Sequence, residues 1–119
     1  ASVIMNRVNA QEGEYARISE GGSLPNIIFQ EGQYACAVTS NDGVENPQNL
    51  FNMSPEPIHY EIAEWAINGG RGTDLGDALW FYAPYEQPCR EFFPNQNGIW
   101  VLRINGHCFY APTESYAET

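Results

Sequence analysis

The chain has 119 residues, which fits one domain burying about two-thirds of the surface its unfolded form exposes. Its 15 acidic residues face five Arg and no Lys, and the net charge of -10 repels phosphate backbones and anionic lipid surfaces, so nucleic acid is excluded as a partner. The missing Lys also removes Schiff-base chemistry and P-loop phosphate binding, and no apolar run approaches the ~20 residues of a membrane span.

At the start, Ala1, Ile4, Met5 and Val8 recur at i, i+3, i+4 and i+7, the apolar stripe of an amphipathic helix. No capping side chain stands ahead of it. The expectation is a helix already under way in a domain shortened at its N-terminus, with its stripe covered by a preceding segment or by self-association. Residues 9–24, rich in Gly, Glu, Asn and Ser with no sustained period, read as a long loop. Ser23-Leu24-Pro25 then opens a short helix whose buried segment is Ile27, Ile28 and Phe29, with Gly32 ending it.

From Thr39 to Asn52 the polar residues and Pro47 describe another loop. Ser54-Pro55-Glu56-Pro57 is the best helix start in the chain, with Ser54 as N-cap. Ile58, Ile62, Trp65 and Ala66 follow at i, i+4, i+7 and i+8 as a buried face, and Gly69-Gly70 suits the helix end.

Beyond Arg71 the pattern changes to strands. Ala78 to Tyr82 is an aromatic run stopped by Pro84. Trp100 to Ile104 and His107 to Tyr110 flank Asn105-Gly106, which predicts a two-residue type I′ hairpin. That turn pairs Ile104 with His107 and Leu102 with Phe109 on one face, leaving Val101, Arg103, Cys108 and Tyr110 on the other. Helices followed by a small antiparallel sheet make a single α+β domain over residues 1–119.

Cys36, Cys89 and Cys108 are odd in number and lack zinc-ligand spacing, so no metal is expected. Two readings stand for them: a Cys89–Cys108 disulfide in an exported protein, or three buried thiols.

Five blocks, in order, resemble the spore cortex-lytic enzymes and related bacterial cell wall hydrolases. Residues 1–8 are similar to a family helix ending in Asn-Arg-Val, here Asn6-Arg7-Val8. Residues 25–36 resemble a short helix leading to a Gln, an aromatic and a small residue, here Gln33, Tyr34 and Ala35. Ala63 to Gly69 resembles an Ala-rich helix ending in Asn-Gly, and Ala78 to Pro84 a strand ending in an aromatic pair and Pro. Ile104 to Tyr110 resembles a closing hairpin with Gly-x-His. Residues 9–24 look longer than the family's link, and 85–99 lack its Ser/Trp-rich segment.

The resemblance implies a lysozyme-like or lytic-transglycosylase-like domain that cleaves peptidoglycan glycan strands, secreted or associated with the cell wall or spore, with no cofactor. It also implies a catalytic Glu in a helix ahead of the one that begins this chain, so the acid is expected upstream of Ala1. In a transglycosylase that Glu protonates the glycosidic oxygen and the muramic 6-hydroxyl attacks; in a hydrolase a second carboxylate is needed.

Within the chain, Glu31 is the carboxylate that could take the acid's role, since the apolar segment before it would desolvate it. Sugar rings offer apolar faces to aromatics and hydroxyls to amides, which selects Gln33, Tyr34, Trp80 and Tyr82 for a groove. Core packing is the competing account for Trp80 and Tyr82. For Trp65 the core is expected, for His107 a structural place after the turn, and for Arg7 an ion pair fixing the first helix. The competing functions are a non-catalytic glycan-binding or structural module and a Cys36–His peptidase of the wall.

Overall fold

The computed structural model describes residues 1–119, the side chain of Asn41 excepted. Asn105 and Gly106 have φ of 48° and 83°, both positive as a type I′ turn requires, and the turn joins β4 (Gly98–Ile104) to β5 (His107–Pro112). Ile104 faces His107, Arg103 faces Cys108 and Leu102 faces Phe109, the expected register. Val101 departs from it. The register shifts between Trp100 and Leu102, so Trp100 faces Tyr110 and Val101 is the extra residue of a bulge.

The run expected as a strand over 78–82 narrows to β3 (Trp80–Tyr82), which pairs antiparallel with β5 and gives the order β3-β5-β4. The amide of Leu79 still donates to the Tyr110 carbonyl at 2.8 Å. Cys89 and Cys108 form a disulfide that ties the 85–97 connection to the central strand, and Cys36 is left unpaired. Gly98 is buried where that connection returns. A Cβ there would meet Trp80 Cε3 at 2.7 Å, so only glycine lets the strand pass so close to the indole.

Helices cover one face of this sheet. Trp80, Cys108 and Tyr110 turn inward to meet Met5 and Val8 of α1 (Ser2–Val8), Tyr15 of α2 (Gly13–Ser19) and Ile27 of α3 (Leu24–Ile28). Tyr116, in the 3-10 turn Glu114–Glu118, closes the core, with ring centroids 6.1 Å from Tyr15 and 5.3 Å from Trp80. The architecture is α+β, as expected.

Helix α2 lies within the stretch read as a loop. Only Tyr15 and Ser19 of its seven residues are buried, so a single i, i+4 pair carries its amphipathicity and no period stands out. Its order comes from distant partners: the Tyr15 amide donates to Tyr116 Oη at 3.1 Å, and the Glu14 amide to Thr119 Oγ1 at 2.8 Å. Helix α3 starts where expected, with Ser23 Oγ accepting from the Asn26 amide at 3.2 Å. Of its apolar segment Ile27 is buried, while Phe29 is half exposed. Inside 39–52 a small hairpin, β1 (Ser40–Asn41) and β2 (Val44–Glu45), turns on Asp42-Gly43.

Helix α4 (Pro57–Ile67) corrects two expectations. Its N-cap is Glu56 rather than Ser54, because a residue before proline is driven out of the helical region and Glu56 sits at φ -83°, ψ 162° ahead of Pro57. The Glu56 amide donates to His59 Nδ1 at 3.0 Å. At its other end the Gly69 amide donates to the Ala66 carbonyl and the Gly70 amide to that of Trp65, the paired bonds of a Schellman ending.

The second correction concerns burial. Only Ala66 is covered, whereas Ile58, Ile62 and Trp65 are 49%, 44% and 48% exposed. A groove of about 330 Å³, lined by Ile4, Met5, Leu24, Ile28, Ile62 and Ile67 among others, runs between α4 and the pair α1 and α3, so the apolar face borders open space. The indole of Trp65 lies across Gly70 instead of entering the core.

Candidate functional site

Helix α1 carries Asn6 and Arg7 toward the segment entering β3. Asn6 Nδ2 donates to the carbonyls of Gly76 and Ala78, each at 2.9 Å, and Arg71 Nε donates to Asn6 Oδ1 at 2.6 Å. Arg7 is 4% exposed. Its Nε donates to the Leu79 carbonyl at 2.7 Å, and its Nη1 to Gln33 Oε1 at 3.0 Å and to Tyr34 Oη at 3.1 Å. The guanidinium carbon also lies 4.5 Å from the centre of the Tyr15 ring. In place of the expected ion pair, neutral acceptors and an aromatic face hold this cation, a set that suits the planar, weakly hydrated guanidinium.

A cleft of about 320 Å³ opens beside this network. Arg7, Gln33, Tyr34 and Glu14 form its polar side; Tyr15, Trp80, Phe81, Phe93 and Pro94 form its apolar side. Gln33 is exposed and its amide oxygen is engaged by Arg7, which leaves Nε2 as the donor presented to a ligand. Burial raises the Tyr34 pKa, against the opposing pull of Arg7, so the hydroxyl stays protonated and can donate to a ligand oxygen while accepting from Arg7. Glu14 Oε1 accepts from Gln30 Nε2 at 3.3 Å.

Three of the sequence-selected groove residues, Gln33, Tyr34 and Trp80, thus meet in one cleft. Trp80 serves both accounts, because its ring is 5% exposed within the core yet borders the cleft. Tyr82 lies outside the lining: its ring stacks on Tyr110 with centroids 5.7 Å apart, and its hydroxyl accepts from the Arg90 amide at 2.9 Å. Glu31 is exposed on the turn after α3, also outside the lining. Sequence reasoning missed Glu14, Tyr15 and Phe93. No motif marks Glu14, since the helix that aims it was itself unseen.

Cys36 borders a separate depression with Ala35, Val38, Asn46, Gln48 and Met53, whereas His107 packs against the Phe81 ring at 5.9 Å. Among the described residues no group of His, Cys, Asp and Glu is arranged to hold a metal ion. No helix is long and apolar enough to cross a membrane.

Residues 1–110 match the Cell Wall Hydrolase family, a span that takes in α1 through most of β5 and every residue that lines the cleft. The chain belongs to the cell wall hydrolases. It is similar to the cell wall hydrolase CwlJ of Oceanobacillus iheyensis, at 31% identity over 111 residues covering 92% of this chain and 67% of that protein. No solved structure matches. In this cell wall hydrolase Asn6 fixes α1 to residues 76–78, and Arg7 builds the cleft wall.

Proposed function

We propose that this domain cleaves the glycan strand of peptidoglycan at the cell wall or spore surface, as a lytic transglycosylase or muramidase of lysozyme-like fold. The observation that carries this is the Arg7 fork, which holds Gln33 and Tyr34 beside the apolar wall of Trp80, Phe81 and Phe93. A pyranose needs both kinds of wall, donors for its hydroxyl and acetamido oxygens and an apolar surface for its ring face.

On the resemblance to the family, the proton donor is a Glu of the helix that precedes the Asn-Arg-Val helix. It protonates the glycosidic oxygen as the bond to the anomeric carbon breaks. Glu14 is the carboxylate within residues 1–119 that reaches the cleft. In a hydrolytic route it is the group to stabilise the developing cation or activate water; in a transglycosylase route the muramic 6-hydroxyl attacks and Glu14 assists binding alone.

Incubating the protein as encoded with purified peptidoglycan, followed by mass spectrometry of the soluble products, tests this. The expected products carry 1,6-anhydromuramic ends for a transglycosylase or reducing muramic ends for a muramidase. New peptide amino termini with intact glycan would overturn the reading in favour of an amidase or peptidase. Wall binding with no new ends would assign the domain to recognition.

A further inference from the structure

The outward face of the three-stranded sheet is apolar. Alternation along the strands places Phe81, His107 and Phe109 opposite the inward Trp80, Cys108 and Tyr110, and the register adds Leu102 and Ile104 beside Phe109 and His107. Phe81 and Ile104 are 38% and 39% exposed, and His107 is exposed as well. The solvated face of an antiparallel sheet ordinarily alternates to polar side chains, so an aromatic outer face marks a contact surface.

The rings are grouped. Phe81 lies 6.0 Å from Phe109, with planes inclined by 31°, and 5.9 Å from His107. Phe81 also belongs to the lining of the Arg7 cleft. Since β3 is an edge strand of the sheet, Phe81 stands both in the cleft lining and on the outward face.

We propose that Phe81, Phe109 and His107 form an accessory carbohydrate subsite that takes a further N-acetylhexosamine ring of the strand occupying the cleft. This rests on the glycan-cleaving function proposed above. Continuity through Phe81 selects the glycan as occupant, because a strand leaving the cleft past β3 meets these rings next. Their chemistry agrees: two phenyl rings accept the C–H face of a pyranose, and the imidazole beside them supplies a donor or acceptor for its hydroxyls. A second copy of this chain would have to bring together two bodies of charge -10 each, which opposes it as the occupant.

The test is titration of the protein with the β-1,4-linked tetramer of N-acetylglucosamine, comparing wild type with Phe109→Ser and with His107→Ala, whose exposed side chain is removed without disturbing the core. The expected result is a Kd raised roughly fivefold in each variant with the circular dichroism spectrum unchanged. Wild-type affinity in His107→Ala and in a folded Phe109→Ser overturns the subsite and leaves the cleft reading standing. Failure of wild type to bind the tetramer overturns both. Light scattering that shows self-association of wild type, abolished by His107→Ala, overturns the subsite in favour of a dimer face.

Discussion

Arg7 Nη1 lies 3.0 Å from Gln33 Oε1, a hydrogen bond that joins α1 to the turn after α3 across 26 positions of sequence. The same guanidinium reaches the Leu79 carbonyl at the entrance to β3, so one buried cation ties together three of the segments that wall the cleft: α1, the turn after α3 and β3. Its removal leaves acceptors desolvated and unpaired, which costs more than the bonds themselves contribute.

Arg7→Met is expected to lower stability by about 2–4 kcal/mol, and Arg7→Lys by somewhat less, since a lysine keeps the charge but not the fork. Urea unfolding followed by tryptophan fluorescence reads both. A loss below about 0.5 kcal/mol in Arg7→Met would show that the network does not hold the cleft together.

Alkaline pH is expected to destabilise the fold through its buried tyrosines. Burial pushes the Tyr15 pKa up from 10 to about 12 despite the opposing Arg7, and burial raises Tyr34 and Tyr116 too. A phenol whose folded pKa exceeds its unfolded value binds its proton more tightly when folded. Its contribution is complete below pH 10 and is lost as pH rises through 12, on the order of 2 kcal/mol for Tyr15. Tyrosinate absorbance and circular dichroism should change together across that window; early ionisation of every tyrosine without loss of structure would contradict it.

Opening the Cys89–Cys108 bridge releases a loop with a sequence separation of 19. Chain-entropy reasoning assigns such a loop about 3 kcal/mol, so the double variant Cys89→Ala, Cys108→Ala should unfold at clearly lower denaturant than wild type. Thiol labelling of the native protein should modify Cys36 alone.

Two isoleucines separate core from surface. Ile27 is fully buried, and Ile27→Ala is expected to cost about 2–4 kcal/mol. Ile67, 55% exposed on α4, should tolerate Ile67→Gln within about 0.5 kcal/mol. Equal losses in thermal unfolding would mean that α4 is covered in solution.

Residues 102–109 were legible because the hairpin is local. Asn105-Gly106 sets the turn, and the turn sets the pairing of Ile104 with His107 down to Leu102 with Phe109. Asp42-Gly43 is a similar dipeptide and offered the same signal for the small hairpin around it. The short apolar and proline cues likewise placed α3, and five blocks in order, the Asn-Arg-Val triplet among them, pointed to the family, with Gln33 and Tyr34 selected as polar groups of a groove.

Other features were decided beyond the reach of local pattern. Helix α2 is held through Tyr15 and Tyr116, 101 positions apart, and it alone aims Glu14 into the cleft. The burial of α4 depended on whether α1 and α3 close against it, and they leave a groove. By itself the sequence determined the Asn105-Gly106 turn and the pairing from Ile104–His107 to Leu102–Phe109, since these rest on backbone preferences of adjacent residues, and its five ordered blocks pointed to the family. The tertiary structure alone decided which carboxylate and which rings share the Arg7 cleft, because that arrangement arises from long-range packing around one buried guanidinium.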